Sequence, residues 1–347
     1  MKKIKKIIAA ASTAVLFTAC LASCGGDSGS ESGGKTYNLR LGTIVNEDHT
    51  LTISAKRYAD AVEKATDGNV KITVYASSQL GDYTNVYDEL SMGSIDLAWQ
   101  TIPDTYDKRN NLGTAPYLVS DYEDVRALYG DHESWFFKAL SDIHAEKGVT
   151  LLGLAPNGFM GVGAESLGNL DTIYDFDTKQ DALIRSASID SLIAQTEAFG
   201  FNVTTIAYAD LYSALQTGVA DGWYGGSAIS NYQGFKDVIK YYAEYYAVNE
   251  PMGMFMSTKT LESLPEEYQE IMISLAQEEN DMVIDDVEKA EGEALQALKD
   301  YGIEVITPTD EELADISQGV IDTVYPVIEE DLGADLMKQV NDWLDRK

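Results

Sequence analysis

The most nucleophilic side chain in this 347-residue chain sits where lipid chemistry would use it. Cys24 closes the tetrad Leu21-Ala22-Ser23-Cys24, behind an apolar run from Ile7 to Phe17 and the basic start Lys2, Lys3, Lys5 and Lys6. Such an ending describes an export signal whose cysteine thiol is alkylated by a diacylglyceryl group before cleavage, which is why small side chains must precede it. The apolar run falls short of the roughly 20 residues that span a bilayer. Residues 1–23 therefore read as a lipoprotein signal peptide and Cys24 as the site of lipid attachment. Cys20, three residues after the aromatic Phe17, is a poorer version of the pattern and leaves with the signal. With Cys24 lipidated, the mature chain keeps no free thiol, which excludes disulfides, thiolate nucleophiles and cysteine-ligated metals.

Other chemistry is sparse. The three histidines, His49, His132 and His144, show no metal-site spacing, and only His49 stands out, at the start of a helix directly after the first strand. No G-x-S-x-G or Walker loop is present, and Gly158-Phe159-Met160-Gly161-Val162-Gly163 has its glycines in the wrong order for a dinucleotide fingerprint. The acidic run Glu278, Glu279, Asp281, Asp285 and Asp286 reads as a solvated helix face, and no carboxylate pair is singled out for glycosidic chemistry. Neither a metal nor a cofactor is expected, and the methionines read as core filler.

Charge narrows the partners. The net charge of −32 counts the four signal lysines, so the mature chain stands four lower, near −36. Nucleic acid needs basic patches and is excluded as a partner. An anionic ligand would approach against the mean field and requires a local, desolvated positive group. Residues 25–34, Gly-Gly-Asp-Ser-Gly-Ser-Glu-Ser-Gly-Gly, hold no apolar side chain to offset the entropy of ordering, so 24–36 reads as a flexible tether. The remaining chain, about 310 residues, exceeds the size at which one core usually divides.

Strands and helices alternate, which predicts an α/β architecture. Leu39 and Leu41, and then Val70, Ile72 and Val74, follow the two-residue period of strands, and Leu51, Ala55, Tyr58, Val62 and Ala65 follow the helical period between them. Tyr87–Met92 reads as a helix stopped by Gly93, with strands at Ile95–Gln100 and Val149–Leu154. A second set follows: strand Ala182–Arg185, helix Asp190–Phe199, strand Asn202–Ile206, and a helix from Leu211 to Thr217 with Asp210 as its cap. Met252–Met256 reads as a strand returning to the first lobe, and Pro265 opens a long helix that reaches about Lys299.

One stretch is more specific. Ile184-Arg185, Phe199-Gly200-Phe201-Asn202-Val203 and the run Asp210-Leu211-Tyr212-Ser213-Ala214-Leu215-Gln216-Thr217-Gly218-Val219-Ala220-Asp221-Gly222 stand in sequence. The pattern resembles the solute-binding proteins of tripartite ATP-independent periplasmic (TRAP) transporters, the dicarboxylate-binding DctP-type family. Ser78-Gln79-Leu80-Gly81, Gly93-Ser94-Ile95-Asp96 and Leu264-Pro265 extend the resemblance along the whole mature chain. It implies a two-lobed periplasmic-binding-protein-like (type II) fold with an interlobe cleft and a long lobe-spanning helix. On that basis lobe I takes 37–156 plus 246–265, lobe II takes 157–245 plus C-terminal segments of 300–347, and 266–299 is the spanning helix. It also implies an extracytoplasmic location, in the periplasm or on the outer face of the cell membrane, and permease subunits in the membrane as partners.

In that family an arginine on a second-lobe strand pairs with the ligand carboxylate, and Arg185 occupies the matching place; a planar fork of donors suits a carboxylate. The sequence departs from the family in two places. Met160 follows Gly158-Phe159 where relatives carry a second arginine, and Trp223-Tyr224-Gly225-Gly226 replaces a polar pair after Asp221-Gly222. The expected pocket is therefore Arg185 with Trp223, Phe159, Tyr208, Gln100, His49 and Asn157, holding a monocarboxylate with an apolar or aromatic body. The alternatives are a dicarboxylate or sugar acid, or delivery to an ATP-driven permease. An exported hydrolase, the rival from another class, lacks a nucleophile constellation.

Overall fold

The computed structural model describes residues 35–176 and 178–345; the signal peptide, Cys24 and all of the tether before Lys35 lie outside them. β1 (Tyr37–Thr43), α1 (Thr50–Ala65) and β2 (Val70–Tyr75) form the first strand-helix-strand unit, with β1 and β2 parallel and Leu39 opposite Ile72. α2 (Tyr83–Met92) starts four residues before the expected Tyr87, because the Asp82 carboxylate accepts from the Thr84 N–H at 3.2 Å and caps it there. β3 (Leu97–Thr101), α3 (Tyr122–Val125) and α4 (Trp135–Ala145) complete the first set.

β4 (Val149–Ala164) does not stop at the expected Leu154 but runs for 16 residues in all. β5 (Leu183–Ser186), α5 (Asp190–Ala198), β6 (Asn202–Thr205), α6 (Tyr208–Gln216) and β7 (Gly222–Gly226) form the second unit. Asp210 is not the cap of α6: the helix begins at Tyr208 after Ala207, which places the Asp210 carboxylate in the first turn, against the positive end of the helix dipole. α7 (Ala228–Ser230), β8 (Tyr241–Ser257), α8 (Thr258–Glu262), α9 (Glu266–Tyr301), β9 (Glu304–Ile306) and α10 (Asp310–Leu344) follow.

The strand order is β2-β1-β3-β8-β4-β7-β5-β6, with β9 beside β8. At one side β2, β1 and β3 run parallel, and β3 meets the far end of β8, with Leu97 opposite Met256. At the other, β7, β5 and β6 run parallel beside the last residues of β4. The antiparallel pair β4 and β8 belongs to both halves: Val149 faces Ser257 at one end and Ala164 faces Tyr241 at the other. The result is a two-lobed α/β fold joined through two long strands. The pairing shifts register between Pro156 and Phe159 and again before Gly161, so the connection is irregular where the lobes meet.

Two helices tie the lobes together. In α9, the Tyr58 hydroxyl of α1 donates to the Met272 carbonyl at 3.1 Å, and Tyr301 bonds Asp237 at the far end. The acidic face of α9 is less solvated than its sequence implies: Glu279 is 2% exposed and is held by two donors of Arg57, Nε at 3.0 and 2.9 Å from its two oxygens and Nη2 at 2.5 Å. α10 packs its Ile316, Val320 and Val324 with Ile184 and Leu192, whereas Ile328, Leu332 and Val340 join Leu112 and Phe136. The C-terminal segment therefore touches both lobes rather than lobe II alone. Its start carries a capping box, Thr309 with Glu312, and Gly333 at φ 73° breaks it.

Candidate ligand-binding cleft

Where β4, β5, β7 and β8 come together, the strand period turns a set of side chains into one crevice. Arg185 comes from β5, paired with Trp223 of β7. Tyr208 enters from the first residue of α6, and Asn157 from the irregular stretch of β4. Ile44, Val45, Tyr83 and Thr101 close it from the first lobe, and Met160, Ala187 and Leu192 add apolar wall. The free space is about 30 Å³, room for little more than a water or two, so any larger ligand requires the walls to part.

Arg185 dominates the electrostatics. It is 2% exposed and forms no ion pair among the described residues; its Nε donates to the Ile206 carbonyl at 2.8 Å. Burial depresses its pKa, opposed by Tyr83, Tyr208, Asp82 and Glu250. Burial likewise pushes the Tyr83 and Tyr208 phenols up to about 12 despite the cation, so both are neutral donors. A buried, unpaired guanidinium is costly in an empty pocket and is the arrangement that an incoming carboxylate relieves. A larger hollow, about 780 Å³, lies between α4 and α10, but its Arg109 is already held by Asp107 and Glu146.

Trp223 is held firmly: its Nε1 donates to Asn231 Oδ1 at 3.0 Å, and its ring packs 4.6 Å from Phe235 and 6.1 Å from Tyr208. A side chain at Gly226 would collide with the indole, so the glycine is required there.

Three expected residues lie elsewhere. Phe159 faces a separate cavity with Tyr242 and Tyr246 and packs edge-on to Tyr122 at 6.0 Å. The cause is Gly158, whose φ of +84° together with the register shift breaks the alternation that would have put Phe159 on the Asn157 face. Gln100 occupies the face of β3 opposite Thr101 and donates to the Tyr83 carbonyl at 2.7 Å. His49 caps α1, its Nδ1 accepting from the Leu51 N–H at 3.2 Å. That leaves the proton on Nε2, which donates to Ser230 Oγ at 3.3 Å, so His49 reaches the crevice only through Ser230.

The residues that sequence reasoning missed are Tyr83, Thr101, Met160 and above all Glu250. Glu250 is 5% exposed, with Thr101 Oγ1 donating to one oxygen at 2.8 Å and Asn157 Nδ2 to the other at 2.9 Å. Burial raises its pKa, opposed by Asn157, Thr101 and Arg185. A carboxylate within the apolar strand around Val248 and Met252 was the available signal. Among the described residues, no group of three His, Cys, Asp or Glu side chains converges as a metal site.

Residues 41–330 match the family model described as bacterial extracellular solute-binding protein, family 7. The 2,3-diketo-L-gulonate-binding periplasmic protein YiaO of Escherichia coli is 25% identical over 88% of this chain and 92% of its own length. The C4-dicarboxylate-binding periplasmic protein DctP of Rhodobacter capsulatus is 27% identical over 80% of this chain and 86% of its own. A TRAP periplasmic solute-binding protein of Desulfovibrio salexigens, solved with bound orotic acid, superposes with a TM-score of 0.81 at 23% identity, covering 90% of this chain and 99% of that one. The sugar-acid-binding protein of Advenella mimigardefordensis, solved with galactonate, has the same TM-score at 19% identity, covering 90% and 99%. The fold and the cleft define a two-lobed solute receptor. The chain belongs to bacterial extracellular solute-binding protein family 7, the solute-binding proteins of TRAP transporters.

Proposed function

We propose that the chain is a lipoprotein, anchored through Cys24, that captures a small organic monocarboxylate outside the cytoplasm and hands it to the integral-membrane permease of a TRAP transporter. It performs no catalysis. The reading rests on Arg185, a buried guanidinium without an ion-pair partner among the described residues, lining an interlobe crevice. With Nε held by Ile206, its two terminal nitrogens remain to match a carboxylate, and with the lobes closed the pair forms out of water. Trp223, Tyr208, Met160 and Leu192 supply an apolar and aromatic wall, which favours a ligand body of the same character over a polyhydroxylated one. Asn157 contributes an amide at the lobe junction. Phe159, Gln100 and His49 play supporting parts: Phe159 in the hinge packing, Gln100 in seating Tyr83, His49 in seating Ser230.

The lobe limits proposed are 37–156 with 246–265 and 157–245 with the C-terminal segments, moving about β4 and β8. Binding closes the crevice over the ligand. The names of the relatives, which include a C4-dicarboxylate and a diketo sugar acid, favour the second reading, a dicarboxylate or sugar acid on the same arginine. Calorimetric titration separates the two. Binding of arylacetates or branched 2-oxo acids with weak succinate binding is expected, and tight succinate binding without any aromatic-acid binding rejects the monocarboxylate reading.

A further inference from the structure

The crevice holds a second buried ionisable group, Glu250, and its surroundings specify what the other end of the ligand must offer. The two carboxylate oxygens accept from Thr101 Oγ1 at 2.8 Å and Asn157 Nδ2 at 2.9 Å. An amide nitrogen can only donate, so the pairing with Glu250 fixes which way the Asn157 amide is turned. Its Oδ1 is then left, fully buried and without a hydrogen-bond partner among the described residues. Asn157 and Glu250 both line the crevice with Arg185. One side of the space thus presents donors on a cation, and the other presents acceptors, one of them anionic.

Buried acceptors without donors are costly, and a carboxylate is best met by a charged donor. A second ligand carboxylate would instead face Glu250 across a dry crevice and raise its energy. Resting on the carboxylate reading above, we propose that the ligand is a zwitterion, an amino acid or another amine-bearing acid, with its carboxylate on Arg185 and its ammonium between Glu250 and Asn157 Oδ1. The two ends of the ligand then neutralise the two buried charges of the protein, and no net charge is transferred from water. A ligand of zero net charge also meets no mean repulsion from a strongly negative molecule, whose full sequence carries −32 and whose mature chain lacks the four signal lysines. An ammonium beside Glu250 favours its ionised form, against the effect of burial.

Matched pairs that differ only in the amine test this on the intact mature protein: phenylalanine against 3-phenylpropanoate, and leucine against 4-methylpentanoate, titrated calorimetrically at pH 7.5. At least one amino acid should bind tenfold or more tighter than its deaminated partner. In Glu250→Gln, which keeps the shape and removes the charge, that preference should shrink to about threefold or less. Deaminated acids that bind as well as or better than their amino partners in the wild type overturn the zwitterion and leave the carboxylate on Arg185 intact, a result that needs no variant to fold. A preference unchanged in a folded Glu250→Gln also overturns it. Binding of none of the four sinks both the zwitterion and the carboxylate reading.

Discussion

Arg185→Met should make the ligand-free protein more stable while abolishing its function. The guanidinium is 2% exposed and, among the described residues, lacks an ion-pair partner and keeps one hydrogen bond, Nε to the Ile206 carbonyl. Exchanging a buried charge for an apolar side chain of similar volume is neutral or stabilising by about 1 to 4 kcal/mol in other proteins, and the lost hydrogen bond returns about 1 kcal/mol. Glu250 loses an attractive neighbour, which pushes its carboxyl further in the direction that burial already drives it. The net expectation is a gain of about 1 to 2 kcal/mol without ligand, which for a body of this size is a Tm rise of about 1.5 to 3 °C. With ligand, removing one partner of a buried pair costs about 2 to 5 kcal/mol of affinity, a loss of 30-fold or more. Differential scanning calorimetry on the ligand-free protein reads the first quantity, and titration with whichever acid the wild type binds reads the second. A Tm lowered by several degrees would mean that Arg185 is a structural ion-pair or packing residue, and unchanged affinity would move the anchor elsewhere; either result refutes the reasoning.

Acid should weaken the fold through its buried histidines. Burial lowers His49 to about 4 and His144 to about 3, so the folded protein excludes a proton that the unfolded chain takes up below about 6.5; stability is lost as pH falls from 6.5 toward 4, by up to about 3 kcal/mol for His49. Glu291, raised by burial to about 7, acts in the opposite sense, adding stability below about 4.5 that fades as pH rises to 7, so His49→Gln should flatten the acid limb of a urea-midpoint profile and Glu291→Gln the neutral one. Arg57→Ala leaves the Glu279 carboxylate buried against α1 and should cost about 2 to 3 kcal/mol in urea denaturation, less than a fully buried pair because Arg57 is itself 37% exposed. Cys24→Ser should shift the protein from the membrane pellet to the soluble fraction and remove the diacylglyceryl mass from its N-terminus. Saturation with ligand should reduce the radius of gyration in small-angle scattering, because closure brings the lobes together across β4 and β8; no change would mean that the empty protein is already closed.

Periodic elements were legible because their apolar spacing is local. The β1-α1-β2 unit, the second strand-helix-strand unit around Arg185 and the long helix all stand close to where their residues place them. α10 was equally available, since Thr309 and Glu312 form a capping box and Ile316, Val320, Val324, Ile328 and Leu332 recur at four-residue steps, but a Pro326 and a Gly333 interrupt the pattern. The crevice was harder. Arg185, Tyr208, Trp223 and Asn157 come together because strand order places β7 between β4 and β5, which no local pattern states. Phe159 went astray through one positive-φ glycine, and Glu250 was overlooked because it stands some 65 residues from Arg185, on a strand whose lobe-joining role depends on its pairing with β4.

The most direct test is a crystal structure of the protein purified with whatever ligand it retains, its mass fixed first by native mass spectrometry. A carboxylate should lie within hydrogen-bond distance of the Arg185 guanidinium, with the ligand body against Trp223 and Tyr208. A retained ligand seated in another cavity, with Arg185 bonded to Ile206 alone, would contradict the assignment.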